Sequence, residues 1–177
     1  MNWKALYKQC EVNQEAYPGY HFAPKPTEAA LRAFEQAHNL LLPKSYRDFA
    51  IVFGPGELAG LYRLATPLTL SNDYELTKFS QNLHGDADER LLEGFGSADE
   101  TGRFLFFSDG GGCFYGWKLD EMADPASREY AIYEFDFPPM KRVATTFQEF
   151  VTEYILKPSV VRGWTPEKRF SPLQIEG

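Results

Sequence analysis

A chain of 177 residues with 44% hydrophobic and 16% aromatic content carries enough apolar surface for one well-packed core, which excludes disorder throughout. Twenty-five Asp and Glu against 18 Lys and Arg leave a net charge of −7, which repels nucleic acid and anionic lipid and attracts a basic partner. No run of about 18 apolar residues occurs, and Lys4 and Lys8 interrupt the start of the chain, so it is expected to stay in the cytoplasm without entering a membrane.

Residues 1–25 mix aromatics with Pro18, Gly19 and Pro24, a pattern that predicts an arm or short helix draped over the body rather than a core element. Thr27 can cap a helix running from Glu28 to about Leu40, since Ala30, Leu31, Phe34, Ala37, His38 and Leu41 recur at three-and-four spacing. Pro43 suits the first turn of a second helix with Tyr46, Phe49, Ala50 and Phe53 on one face, stopped at Gly54, Pro55 and Gly56. Leu58 to Leu64 reads as the first strand, and a short helix carrying Leu76, Phe79 and Leu83 follows.

The stretch from His84 to Gly102 is charge-rich and is expected to be a long connection with at most one short strand around Leu91 to Phe95. Phe104–Phe107 and Cys113–Leu119 form a hairpin turned by Gly110, Gly111 and Gly112. Tyr130–Phe135 is another strand, Pro138 and Pro139 force a loop, and Lys141–Ala144 is short enough for an edge. Thr146 and Glu149 make a capping box for a helix with Phe147, Phe150, Val151, Tyr154 and Ile155 on one face. Residues 157–177, with Pro158, Pro166 and Pro172, read as a tail that packs on the body in places. The sum is one domain over 1–177, with an arm (1–25), a core (27–156) and a tail (157–177). Its class is α+β, an antiparallel or mixed sheet with helices packed on one face.

Chemistry is sparse. Cys10 and Cys113 read as thiols in a reducing compartment, and His21, His38 and His84 have no metal-ligand spacing, so no metal is expected. The triple glycine could cradle an anion, but it lacks the Lys and Ser/Thr of a phosphate loop and leads into a strand, which favours a plain turn and no cofactor. Asp109, Asp120 and Asp136 lie at strand ends; turn formation is the plain reading, with paired carboxylates or cation ligands as the alternative. His21, His38 and His84 have structural roles to hand, with one functional imidazole as the alternative. Ser108 and Cys113 have no nucleophile setting, so no catalytic residue is assigned. Tyr115 and Trp117 fall on the face of Cys113 and Leu119, which favours core packing over interface anchoring. The densest negative region is Asp86, Asp88, Glu89, Asp99 and Glu100, a candidate for partner recognition.

Three segments together resemble the SUKH superfamily, bacterial toxin-immunity proteins related to fungal cell-wall assembly regulators of the Smi and Knr type. They are Leu42, Pro43, Tyr46, Phe49 and Gly54; then Phe106–Gly112 with the strand ending Leu119, Asp120; then Val143, Ala144, Thr146, Phe147, Glu149 and Phe150. Cys113 stands where that superfamily often has a small polar or acidic residue. The resemblance implies a non-enzymatic α+β binding module, either an immunity protein that neutralises a toxin domain, often a nuclease, or a signalling scaffold. A small-molecule enzyme would need a deep polar pocket. With an acidic chain and a basic toxin domain as partner, the residues expected at the contact are Asp86, Asp88, Glu89, Asp99 and Glu100, then Asp109, Asp120 and Glu121 at the hairpin ends.

Overall fold

The computed structural model describes residues 1–68, 73–91, 104–110, 112–135 and 140–177, with the backbone alone for 85–91. Near the start, α1 (Trp3–Gln9) is capped by Asn2, whose side chain accepts the Ala5 N–H at 3.1 Å. Two short strands follow, β1 (Glu11–Val12) and β2 (Tyr20–Phe22). Thr27 caps α2 (Glu28–His38), which ends where Asn39 turns left-handed at φ 49°. Pro43 sits at the N-cap of α3 (Lys44–Phe53), which closes at Gly54.

Leu58 to Leu64 is not one strand but a hairpin, β3 (Gly56–Leu58) and β4 (Tyr62–Leu64), because Ala59 and Gly60 take positive φ and reverse the chain. The next helix, α4 (Leu76–Leu91), buries Leu76, Phe79 and Leu83 and continues through the charge-rich segment. Leu91 therefore ends a helix rather than starting a strand; residues 92–95 lie outside the described residues. The hairpin of β5 (Phe104–Gly110) and β6 (Cys113–Asp124) forms as expected, with a bulge between Phe106 and Ser108. β7 (Glu129–Phe135) pairs with β6, and β8 (Lys141–Ala144) is the edge. Pro138 and Pro139 lie outside the described residues.

Thr146 Oγ1 accepts the Glu149 N–H at 3.0 Å at the start of α5 (Phe147–Glu149). The Glu149 carboxylate reaches back to the Thr145 N–H, at 2.7 Å, one residue before the position an ideal capping box uses. The helix then widens into a π-helical stretch, Phe150–Ile155, closed by the Leu156 N–H on the Val151 carbonyl at 2.9 Å.

The terminal segments differ from expectation. β9 (Arg169–Pro172) is inserted in the main sheet between β1, which it pairs in parallel, and β3, giving the order β1-β9-β3-β4-β5-β6-β7-β8. β10 (Gln174–Glu176) pairs with β2 in a second small sheet. Trp3 is buried with its ring edge-on to Phe49 at 5.3 Å, and Phe170 is buried edge-on to Phe53 at 5.1 Å. A four-residue strand that follows Pro166 and ends on Pro172 is too short to show a periodicity, so its place in the sheet is not legible in the tail's sequence.

The fold is α+β, with a mixed sheet that is antiparallel apart from β1–β9. Trp117 and Phe107 lie under α3 and α5, with Phe107 stacked on Trp117 at 4.0 Å and Tyr46 edge-on to Trp117 at 4.7 Å, and Tyr115 lies under Phe150 of the π-helical stretch at 5.0 Å. Helices are not confined to one face, contrary to the expectation from sequence: on the other face α4 covers β5, where Ser80 Oγ accepts the Phe106 N–H and the His84 ring packs 5.0 Å from Phe106, because Leu76, Phe79 and Leu83 give α4 an apolar side of its own to bury.

Candidate protein-binding surface

The acidic residues singled out in the sequence are dispersed. Asp86, Asp88 and Glu89 lie on the last turns of α4 rather than in a loop, with side chains outside the described residues; Asp99 and Glu100 are wholly outside them. Asp109, on β5, is 8% exposed, and Arg63 on the neighbouring β4 grips both its oxygens, Nε to Oδ1 at 2.7 Å and Nη2 to Oδ2. Asp120 and Glu121 are exposed on β6, and Glu121 accepts from Lys118 Nζ at 3.0 Å. Asp109 pairs with Phe114, six residues before Asp120, so at about 3.3 Å per strand residue the two carboxylates stand ~20 Å apart and form no acid–base pair.

Beside Asp120 the chain builds a groove of about 620 Å³ between the C-terminal end of α2 and the β6–β7 pair. Asn39 turns the chain so that Leu42 enters the core while Leu41 stays out, 42% exposed. Leu119 faces it, 36% exposed, because α3 and α5 cover β6 only as far as Trp117. Tyr130 and Arg32 complete the walls. The groove wall formed by Glu35 is fixed: Oε1 accepts the Leu42 N–H at 2.9 Å and Oε2 takes Arg47, whose other nitrogen holds Glu28. Sequence reasoning missed the groove because Leu41 and Leu119 both continue an apolar pattern; only the helix ending at His38 separates them from the core.

At the glycine turn, Gly112 takes φ +86° between β5 and β6, which is turn chemistry. Further along the same face, Tyr115 and Tyr154 both donate to Glu134 Oε1, at 3.3 and 2.5 Å, and Arg162 lies over the Tyr154 ring at 3.9 Å and donates to the Tyr62 hydroxyl at 3.3 Å. Burial pushes the Tyr115 and Tyr154 phenols well above the ordinary tyrosine value, so they serve as neutral donors. His21 lies in β2, two residues after the turn at Pro18 and Gly19, and His84 lies within α4; His84 Nε2 is 3.0 Å from the Phe104 carbonyl, and His38 packs on Phe34 at 4.4 Å. Cys10 and Cys113 are thiols. No three His, Cys, Asp or Glu converge among the described residues, and no described helix is long and apolar enough to cross a membrane.

The arrangement is a sheet with a rigid aromatic interior and a shallow groove, and the sequence profile of the SMI1 / KNR4 family (SUKH-1) matches it over residues 25–153. The chain belongs to the SMI1/KNR4 family. Members are associated with immunity and regulatory roles, are generally non-enzymatic and act through protein partners. The match takes in α2 to α5, whereas α1, β1, β2, β9 and β10 lie outside it. Within the matched range, Tyr46, Phe49, Phe106, Phe107, Phe147 and Phe150 are all fully buried. No curated protein matches the chain significantly.

Proposed function

We propose that this SMI1/KNR4-family protein is an immunity protein that binds a basic toxin domain and neutralises it by covering its active site. The observation that carries the reading is the groove edge, where exposed Leu41 and Leu119 flank a recess and Asp120 and Glu121 follow directly along β6. Apolar anchors beside charges that face solvent have the anatomy of a non-obligate interface. The rest of the net −7 charge, Asp86, Asp88, Glu89, Asp99 and Glu100 included, acts as steering. Asp109, held by Arg63, stays out of the contact.

The test is binding to the co-expressed product of the adjacent reading frame, followed by stopped-flow kinetics. Charge reversal of Asp120 and Glu121 is expected to slow association about tenfold at low salt and flatten its salt dependence. Failure of the wild-type protein to bind that product removes the reading, and stable recovery of an envelope-synthesis enzyme instead replaces it with a scaffold role.

A further inference from the structure

The N-terminal arm and the C-terminal tail close a second recess, which shares no lining residue with the groove at Leu41 and Leu119. It holds about 260 Å³ between Tyr7 of α1, Val12 of β1, Phe22 of β2, Phe53 of α3 and Pro172 of β9. Its walls are tied together by the backbone. The Ala23 N–H donates to the Leu173 carbonyl at 2.8 Å, the Leu173 N–H to the Pro55 carbonyl at 3.0 Å, and the Asn13 N–H to the Phe170 carbonyl at 3.2 Å. Tyr7 stands edge-on to Phe53 at 5.0 Å, so the aromatic walls are fixed as well.

A single charge lines this recess. Lys25 reaches it from the exposed side, with Nζ 4.3 Å from the centre of the Tyr7 ring and donating to the Val52 carbonyl. Its stem packs on Gly54, where an added Cβ would come within 3.0 Å of Lys25 Cγ. No carboxylate among the described residues pairs with this ammonium, although the chain has 25 acidic residues. Partial burial without a counter-charge holds it below the ordinary lysine value. An ammonium has three N–H donors, and the protein supplies one carbonyl and one ring face.

We infer that this recess binds a small aromatic carboxylate, its ring against Tyr7, Phe22 and Phe53 and its carboxylate on Lys25 Nζ. The lining selects that class. A cation is repelled by Lys25, a neutral apolar molecule leaves the ammonium without its counter-charge, and a bare inorganic anion gains nothing from aromatic walls. The volume is that of about nine waters at about 30 Å³ each, below the roughly 300–1,000 Å³ of sites for drug-sized ligands, so one ring fits and a dinucleotide does not. Tyr7, Val12, Phe22 and Pro172 all lie outside residues 25–153, so the site depends on segments beyond the matched range. A bound ligand bridges arm and tail and stabilises their closure.

The experiment titrates the full chain with sodium benzoate, and with benzyl alcohol as the uncharged control, following NMR shifts and the melting temperature. Benzoate is expected to saturate with a Kd of about 0.1–10 mM, as suits so small a ligand, and to move the signals of Tyr7, Phe22 and Phe53. At ten times that Kd the melting temperature should rise by about 3–6 °C. Benzyl alcohol should bind at least about tenfold more weakly, a preference that Lys25→Met removes and Lys25→Arg keeps. Equal binding of the two compounds by the wild-type chain overturns the inference, as does benzoate binding that leaves those three signals in place or no binding at all. These outcomes are read on the wild-type chain, so a variant that fails to fold does not shield the inference. The toxin-binding reading, tested through Asp120 and Glu121, stands or falls separately.

Discussion

Glu129 is the residue whose loss should be felt most for its size. It is 5% exposed at the start of β7, where its carboxylate accepts the Ser45 N–H and the Ser45 hydroxyl, both at 2.8 Å, and the Phe147 N–H at 3.4 Å. Ser45 Oγ in turn accepts the Gln148 N–H at 3.2 Å. Pro43, the N-cap of α3, has no side-chain oxygen, so the carboxylate from β7 stands in as the missing cap and serves α5 as well. Negative charge at two helix N-termini adds a favourable dipole interaction.

Glu129→Ala strands two buried N–H groups and a hydroxyl. With about 1–1.5 kcal/mol, the low end of the range for a buried donor, for the Ser45 N–H and for its hydroxyl, and about 1 kcal/mol for the 3.4 Å contact, the loss comes to roughly 3–4 kcal/mol. At about 2–4 °C per kcal/mol for a chain of this size, the melting temperature should fall by about 6–16 °C. Urea unfolding followed by circular dichroism measures it, with an unchanged slope showing that only stability moved. Glu129→Gln, which keeps one acceptor oxygen, should lose about half as much. If Glu129→Ala stays within about 0.5 kcal/mol of wild type, the tertiary cap is not a support of this fold.

Two further outcomes test other parts of the account. A Cβ at Gly56 would lie 2.7 Å from Phe170 Cζ and against the Ser171 carbonyl, so Gly56→Ala should pry β3 from β9 and cost about 1–3 kcal/mol by thermal melting; no change would mean that β9 is not lodged in the sheet. Burial holds the Tyr46, Tyr115 and Tyr154 phenols above the ordinary value of 10.0, so the folded state favours their neutral forms. That stabilisation is complete below the unfolded-chain value and is lost as pH rises past it toward the folded values. In an ultraviolet titration these three should ionise only with unfolding, and ionisation with unchanged circular dichroism would contradict the buried placement.

What could be read from sequence follows from how local each signal is. Thr27 with the three-and-four stripe defines α2, Thr146 with Glu149 starts α5, and the alternation Tyr115, Trp117 identifies an inward face, because each depends on neighbours within a turn or a strand. Glu129 and Asp109 were opaque for the opposite reason: Ser45 lies 84 residues from Glu129, and Arg63 lies 46 from Asp109. β9 failed to show because its register is dictated by β1 and β3, not by a pattern of its own. The groove was hidden because Leu41 and Leu119 have the residue type of a core position, and only three-dimensional cover decides which leucines are left out.

The aromatic residues that carry the resemblance in sequence are out of a partner's reach. Tyr46, Phe49, Phe107, Phe147 and Phe150 meet one another or Trp117 at ring separations between 4.0 and 6.3 Å in the interior, where a partner cannot touch them and where a change of even one methylene strains its neighbours. Partner contact therefore has to be carried by exposed groups, whose replacement leaves this packing untouched. Leu41 after α2 and Leu119, Asp120 and Glu121 on β6 meet that condition, since each is exposed. Leu41 and Leu119 line one groove, so their truncations should weaken the complex without lowering the melting temperature, and their effects should couple rather than add. Additivity to within about 0.5 kcal/mol would place the two leucines in separate contacts and refute the groove as a single site.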